Sequence, residues 1–181
     1  MRFFVCPNLT RADDLGRVVI PKEIRRVLRL REGDPLEIFT EKDGEVIFKK
    51  YSPMGELAEF AAQICDSLHK TAAATAVICD RDAVIAVSGG PRREMLEKHI
   101  SGALEQVMEN RRFYRAEGKA ALPILEGTEE PCISVAAPIV SAGDVLGCVI
   151  VAAEKGASPL GETEQKLIQT VAGFLGKQLE S

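Results

Sequence analysis

The sequence lacks the features that mark membrane-spanning and disulfide-stabilised proteins. No apolar run approaches the roughly 20 residues that span a bilayer, and the opening MRFFVCPNLTR has no long apolar core of the kind found in a signal peptide. The five cysteines form an odd set without paired spacing, which is not the pattern of a disulfide framework. Reduced thiols are expected instead. We therefore expect a soluble, cytoplasmic protein with no membrane partner.

Residue patterns that carry catalysis or bind metals are also missing. The two histidines, His69 and His99, stand far apart without a neighbouring array of cysteines or carboxylates, so no metal site is predicted. Asp80 and Asp82 flank a tight turn and are interpreted as turn-forming residues rather than as an acid–base pair. The stretch SGGPRR has neither the lysine nor the spacing of a phosphate-binding loop. The sequence predicts no enzyme, no metal and no cofactor.

Charge is unevenly distributed along the 181 residues. The formal net charge is −4, but residues 1–52 hold 11 Lys/Arg against 9 Asp/Glu, whereas the remainder holds 12 against 18. Within residues 11–31 the count is 7 basic against 3 acidic. Such a local positive excess, doubled if two copies meet, attracts a polyanion such as DNA, while the acidic remainder is repelled by it. The first 52 residues are therefore the part of the chain expected to meet a nucleic acid.

The chain is predicted to divide at KKYSPMGELAEF, where alternating strand character stops and a helical repeat begins. We predict a first domain over residues 1–52, a hinge over residues 53–55 and a second domain over residues 56–181. The first domain is predicted to contain short strands, VVI among them, around the helix KEIRRVLRL, and then a hairpin that turns at Asp43-Gly44. Because its apolar positions are few, it buries little surface and needs a second copy of itself.

The second domain is predicted to be an antiparallel sheet flanked by helices, which makes the whole chain α+β. Apolar residues recur at helical spacing after Gly55 and again over residues 162–179. Between these helices, GPRREMLEKHISGALEQVMENRR is predicted to be one helix. The predicted strands are TAVICD, AVIAVSG, ALPILEG, CISVAAPIV and DVLGCVIVAAE.

The stretch DDLGRVVIPKEIRR places three arginines around a junction between a strand and a helix. Arg17 precedes the β-branched run, and Arg25 and Arg26 lie about one helical turn beyond Pro21. If the strand and helix fold back on each other, these side chains line one surface, where guanidinium groups suit phosphates and guanine edges. The alternative is a solvated helix face on which the arginines pair with neighbouring carboxylates. Those carboxylates are Asp13, Asp14 and Glu23.

The segment DDLGRVVIPKEIRRVLRLREGDPLEIFTEKDGEVIFKKYSP closely resembles the swapped-hairpin DNA-binding domain of the AbrB, MazE and SpoVT family of transcription factors. The resemblance implies that two chains exchange hairpins to form one intertwined, barrel-like dimer whose loop and helix contact double-stranded DNA. Carried onto this sequence, the DNA-binding residues are Arg11, Arg17, Arg25 and Arg26. The family's first strand usually contains Gly-Ile-Val-Arg-Arg, whereas PNLTR stands here. Thr10 therefore replaces an arginine, and we expect that strand to be frayed or shifted.

The later segment APIVSAGDVLGCVIVAAE resembles the late-strand signature of GAF domains, which implies a sensor or oligomerisation role. GAF domains commonly hold a small molecule over one face of the sheet, and the expected pocket wall here runs through residues 88–93 and 111–131. Four arginines on this wall either capture an anion or form a solvated surface. They are Arg92, Arg93, Arg111 and Arg112. The resemblance identifies neither a ligand nor a ligand-binding residue.

Together these resemblances imply a nucleoid-associated regulator, activator or repressor or both, of sporulation-stage gene expression. The helices over residues 57–68 and 167–179 are expected to pair between subunits, so that hairpin dimers become tetramers. A ligand would then alter DNA binding only by favouring one arrangement of these helices over another.

Two other functions stay open. The same hairpin domain serves in toxin–antitoxin pairs, so an antitoxin-type autoregulator is one alternative. The other is a GAF-type thiol redox enzyme or sensor, because four cysteines lie in the second domain. Cys65, Cys79 and Cys148 fall on apolar faces, where inert buried thiols are usual. Cys132 is expected to be the least buried of the four.

Overall fold

The computed structural model describes residues 10–116, 122–153 and 161–180. The chain splits into two compact units, Met1–Tyr51 and Ser52–Ser181. Both units combine helices with antiparallel strands, so the predicted α+β class is confirmed. Within the described ranges, no helix is long and apolar enough to cross a membrane. The strand predicted over PNLTR lies mostly outside the described residues, since only Thr10 and Arg11 of it are included.

The first unit contains one short helix and one hairpin in its described residues, 10–51. Its elements are helix α1 (Lys22–Val27), strand β1 (Leu36–Thr40) and strand β2 (Val46–Lys50). The two strands pair antiparallel, and Gly44 takes a φ of 83° in the turn between them. The helix and the hairpin agree with the sequence pattern. The VVI run was predicted to be a strand. It forms only one isolated bridge, between Ala12 and Val18, because no strand in the described part of the chain pairs with it.

The described part of the first unit, residues 10–51, has no buried core within one chain. None of residues 10–51 is buried, and large apolar side chains are open to solvent. The exposed ones are Leu15 (71%), Val18 (42%), Val19 (74%), Val27 (69%), Ile38 (63%), Phe39 (47%) and Val46 (54%). A shielded ion pair joins Lys50 Nζ to Asp34 Oδ2 at 3.0 Å, but apolar burial is the main stabilising term in folding. A single copy of this unit is therefore poorly stabilised.

The second unit is a five-stranded antiparallel sheet with helices on both faces. Its strands are β3 (Ala76–Asp80), β4 (Val84–Ser88), β5 (Tyr114–Arg115), β6 (Cys132–Ser141) and β7 (Asp144–Ala153). Its helices are α2 (Pro53–Glu56), α3 (Ala58–Ala72), α4 (Arg92–Met95), α5 (Gly102–Glu109) and α6 (Glu162–Gln178). The strand order is β4-β3-β7-β6-β5, with every neighbouring pair antiparallel.

Alternate residues of the central strands divide the core into two layers, as the period of a strand requires. One layer joins the sheet to α2, α3 and α6. Its members include Met54, Cys65, Leu68, Ile78, Val149, Ile168 and Leu175. The other layer joins the opposite face to α4, α5 and the segments beside them. Its members include Val77, Cys79, Met95, Ile100, Leu104, Ile124, Cys148 and Ile150.

Residues 53–55, predicted to be a hinge, lie within α2. Pro53 occupies the start of this helix, and Met54 is fully buried. Ser52 Oγ accepts a hydrogen bond from Gly55 N–H at 3.3 Å and donates one to Asp80 Oδ2 at 2.8 Å. The chain therefore enters the second unit through a capped and packed turn.

The prediction of one long helix after β4 is wrong, because the segment forms two separate helices, α4 and α5. Leu96 takes an extended conformation and Glu97 a φ of 62°, which ends α4. Ser101 then begins α5 by accepting a hydrogen bond from Leu104 N–H at 3.1 Å. A serine at this position satisfies a free backbone donor of the new helix.

The strand predicted over ALPILEG is also wrong. Its described residues, 122–127, form isolated bridges at Pro123, paired with Cys132, and at Leu125, paired with Ile100. The sheet edge beside β6 is instead occupied by the two-residue strand β5, which was not predicted.

Candidate nucleic-acid interface

The loop from Asp13 to Arg17 is organised by a single carboxylate. Asp13 Oδ1 accepts hydrogen bonds from Leu15 N–H at 3.0 Å and Arg17 N–H at 2.7 Å, and Oδ2 accepts one from Arg17 Nε–H at 2.7 Å. Backbone bonds from Asp13 N–H to Arg17 O and from Gly16 N–H to Asp13 O, both 3.0 Å, close the turn. The hydrogen bond from the Arg17 backbone is the largest cause that lowers the pKa of Asp13, followed by that from the Arg17 side chain. The loop is a preorganised turn.

Arg17 remains open to an external anion although one of its nitrogens is engaged. Its side chain is 73% exposed, and the ion pair with Asp13 uses Nε. Within the described residues, its terminal nitrogens Nη1 and Nη2 make no hydrogen bond, because the one to Asp13 uses Nε. An exposed ion pair of this kind contributes little to stability. Its effect is to orient the guanidinium group.

Arg25 and Arg26 lie in the last turn of α1, a helix without buried residues. Both are exposed, and no ion pair or side-chain hydrogen bond engages them in the part of the chain that the structure describes. Of the ion pairs that the alternative reading expects, the structure contains the one between Arg17 and Asp13, whereas Arg25 and Arg26 lie on a solvated helix face. Glu23 lies in the first turn of α1, the charge order that the helix dipole favours. Among the described residues, the helix leaves the guanidinium groups of Arg25 and Arg26 without a pairing side chain.

Arg11 is exposed and lies just before the loop that contains Arg17. The bridge between Ala12 and Val18 closes that loop, with each arginine one residue before a bridging position. Thr10, which stands where the family has an arginine, donates its Oγ1 hydrogen bond to Val19 O at 2.9 Å. The structure thus places Arg17 in the loop, Arg11 just before it, and Arg25 and Arg26 together on α1. That all four face one surface stays a prediction.

Sequence reasoning did not identify Asp13 as the organiser of the loop. A signal was available in the spacing Asp-x-x-Gly-Arg, because an aspartate often accepts hydrogen bonds from the backbone two residues on, and glycine supplies the positive φ that such a turn requires. Gly16 has a φ of 76°. Charge alone gives Asp13 no role beyond neutralising a nearby arginine.

The second unit contains a candidate ligand site at one end of the predicted pocket wall. A cavity of about 330 Å³ is lined by Val107, Asn110, Arg112, Phe113 and Tyr114. Burial raises the pKa of Tyr114 above its usual value. The other three arginines predicted for the wall are exposed and do not line this cavity. Residues 117–121 of the wall lie outside the described residues.

The cysteines of the second unit are shielded from solvent, with one exception. Burial raises the pKa of the Cys65 thiol to about 12 and also raises the pKa of Cys79 and Cys148. Cys132 is half-buried and donates a hydrogen bond to Glu129 O at 3.0 Å. Among the described residues, no group of three or more His, Cys, Asp or Glu side chains could hold a metal ion.

Two family models match the chain, one for each unit. A model described as "Stage V sporulation protein T C-terminal, transcription factor" matches residues 56–180, and one described as "Antidote-toxin recognition MazE, bacterial antitoxin" matches residues 9–55. The chain is 47% identical over 171 residues to Stage V sporulation protein T of Bacillus subtilis (strain 168), covering 94% of this chain and 95% of that protein. It is 54% identical over 43 residues to transition state regulatory protein AbrB of the same organism, covering 24% of this chain and 44% of that protein.

Among solved structures, the GAF domain from Acinetobacter phosphoenolpyruvate-protein phosphotransferase is similar with a TM-score of 0.55 at 14% identity, covering 68% of this chain and 81% of that one. A likeness at this identity shows the fold alone. The predicted GAF-like and AbrB-like resemblances are confirmed, and the match of residues 56–180 to a model described as a transcription factor agrees with the prediction that the chain is not an enzyme. The chain belongs to the stage V sporulation protein T family of transcription factors.

Proposed function

We propose that the protein is a DNA-binding regulator of sporulation-stage transcription and that its first unit contacts duplex DNA through Arg11, Arg17, Arg25 and Arg26. The observation that carries the proposal is the pair of exposed, unpaired guanidinium groups on α1. Together with the positive excess over residues 11–31, they supply donors for phosphates and base edges. The names of the relatives, a stage V sporulation protein and a transition state regulator, support the biological setting, and DNA as the partner implies a cytoplasmic, nucleoid-associated protein.

Dimerisation of the first unit is part of this proposal. A folded unit in which none of residues 10–51 is buried needs an external apolar surface, and a second copy offers the same exposed valine, isoleucine and phenylalanine side chains. Full burial of one such side chain contributes about 1.5–3 kcal/mol, so a handful of them decides whether the unit folds. Exchange of hairpins would also bring the loop and α1 of both copies to one duplex and double the local positive charge.

The second unit is proposed to join dimers into tetramers and to sense a small molecule. Phe60 of α3 and Phe174 of α6 have ring centroids 6.1 Å apart, and Phe174 is 46% exposed, so these helices keep apolar surface on the side away from the sheet. A second copy of the same two helices is the proposed occupant. The cavity beside Arg112 is the proposed ligand site, and its occupant would change DNA affinity only by favouring one helix arrangement.

The antitoxin alternative is less well supported. The antitoxin model matches residues 9–55 alone, whereas the transcription-factor model matches residues 56–180. The similarity to Stage V sporulation protein T of Bacillus subtilis covers 94% of this chain. A chain that continues into a GAF fold suits a regulator that senses a signal.

The test is a salt series with an Arg25→Ala/Arg26→Ala variant and a duplex that the wild type selects from a randomised pool. If these arginines neutralise phosphates, the variant should bind more weakly, and its slope of log K against log salt should flatten by about 0.9 for each phosphate no longer neutralised. The matched control is Arg92→Ala/Arg93→Ala, which removes an adjacent pair of exposed arginines from the second unit and should leave the slope unchanged. Equal slopes for the two variants, or a wild type that selects no duplex, would overturn the proposal.

A further inference from the structure

We propose that Asp13 is a positioning residue for DNA recognition, which holds the Arg17 guanidinium so that its two terminal nitrogens face the duplex. The inference rests on the proposed DNA-binding function and adds a residue to it. It predicts that an acidic side chain strengthens binding to an acidic polymer.

The geometry separates two tasks between the two carboxylate oxygens. Oδ1 accepts the Leu15 and Arg17 backbone N–H groups at 3.0 and 2.7 Å and so fixes the turn, while Oδ2 accepts Arg17 Nε–H at 2.7 Å. Because the guanidinium group is planar, fixing Nε also fixes the direction of Nη1 and Nη2. These two donors match the paired acceptors of a phosphate or of a guanine edge.

Electrostatics alone predict the opposite effect of Asp13. A carboxylate within the roughly 10 Å Debye length of a phosphate backbone is repelled by it. If Asp13 were only a charge, its removal would tighten binding to every duplex. If Asp13 positions Arg17, its removal weakens binding to the selected duplex while binding to a scrambled duplex stays equal or tightens. The two accounts differ in sign.

Asp14 provides the matched control for the direction in which loss of a carboxylate changes DNA affinity. It is the next residue, it carries the same charge, and it is exposed. It makes none of the hydrogen bonds that Asp13 makes to Leu15 and Arg17. Asp14→Asn therefore removes one negative charge from the same loop without touching Arg17.

The experiment compares Asp13→Asn with Asp14→Asn on the selected duplex and on a scrambled duplex of the same composition. Asparagine keeps one oxygen for the backbone of the turn but places an amide donor opposite Arg17 Nε–H. We expect Asp13→Asn to lose about tenfold in affinity for the selected duplex and nothing for the scrambled one. Asp14→Asn should bind both equally well or more tightly. Circular dichroism and the melting temperature check that each variant folds.

Two further variants make the result specific to Arg17. In an Arg17→Ala background, Asp13→Asn should cause no additional loss, because its effect passes through the missing side chain. Arg17→Lys keeps the charge and leaves Asp13 in place, but an ammonium cannot pair with Asp13 and present a planar fork at once. Arg17→Lys should therefore show the same loss of affinity for the selected duplex as Asp13→Asn. It tests the positioning role even if Asp13→Asn folds poorly.

The possible outcomes separate the inference from the function on which it rests. If Arg25→Ala/Arg26→Ala weakens binding but Asp13→Asn tightens it on both duplexes, the positioning role is overturned and the proposed function stands. An undiminished loss from Asp13→Asn in the Arg17→Ala background has the same meaning. If Arg17→Ala itself leaves the affinity unchanged, both the proposed Arg17 contact and the role of Asp13 are wrong.

Discussion

Cys65, Cys79 and Cys148 lie fully buried in the core layers on the two faces of the sheet, and a thiol reacts through its thiolate. Because burial raises the pKa of Cys65 to about 12, and that of Cys79 and Cys148 also lies above the usual value, very little thiolate forms at neutral pH. These positions suit packing rather than redox chemistry.

A Cys6→Ser/Cys132→Ser variant tests this interpretation at the scale of single residues. It removes the half-buried thiol and the cysteine outside the described residues, so only the three buried thiols remain. With dilute iodoacetamide at pH 8 we expect no modification of the folded protein, and three adducts per chain in denaturant, counted by mass spectrometry. Rapid labelling of one thiol in the folded protein would restore the hypothesis of a thiol enzyme or sensor.

The residues of the proposed DNA site were predictable only in part. The identities of Arg17, Arg25 and Arg26 follow from resemblance to a family, and the structure adds that all three are exposed. Which arginine is held and which are unpaired depends on local geometry, since Asp13 reaches Arg17 across a turn that needs the positive φ of Gly16. Charge counting treats every nearby carboxylate alike and does not separate Asp13 from Asp14.

At the scale of elements, α6 packs on the sheet through a glycine. A Cβ built on Gly176 would collide with the Val140 backbone carbonyl of β6, so the helix approaches the strand more closely than any side chain allows. We expect Gly176→Ala to lower the free energy of unfolding by about 1–3 kcal/mol, even though alanine favours a helix by about 1 kcal/mol over glycine.

The control for this prediction is Gly102→Ala in α5, where a Cβ meets no atom within 4 Å. There we expect unchanged or slightly raised stability, because only the conformational entropy of the unfolded chain changes. Urea unfolding followed by circular dichroism measures both variants. Equal stability of the two variants would show that α6 does not depend on close approach at Gly176.

Periodicity predicted the burial of the segment around α4 and α5 better than it predicted the helix. Helical spacing assigns Met95, Ile100, Leu104 and Val107 to the apolar side of one helix, and all four are buried. The chain nevertheless leaves the helix after Met95, and Ile100 pairs with Leu125. Helical spacing reports which residues meet the core, but a capping serine and a tertiary bridge decide where the helix stops.

At the scale of the whole molecule, a single chain provides neither a partner strand nor apolar cover for the described part of its first unit. The VVI run has strand composition and yet makes one bridge, and Val19 is 74% exposed. Local propensity predicts a strand here, but no strand in the described part of the same chain pairs with it. The proposed exchange of hairpins supplies such a strand from a second copy.

Two phenylalanines of nearly equal exposure distinguish the two proposed interfaces: Phe39 in β1 is 47% exposed and Phe174 in α6 is 46% exposed. A buried, unpaired carboxylate opposes association strongly, so aspartate at either position should break the interface to which it belongs. Phe39→Asp should remove the paired first units, leave assemblies held by α3 and α6, and abolish binding to the selected duplex. Phe174→Asp should convert tetramers to dimers that still bind that duplex, because both copies of the loop and α1 remain together.

Sedimentation velocity over a concentration series measures the oligomeric state of the two variants, and fluorescence anisotropy measures their binding to the duplex. If tetramers persist in both variants, or if the Phe39→Asp protein binds DNA, the proposed assembly is wrong. In that assembly, paired first units bind the duplex and the second units join dimers into tetramers.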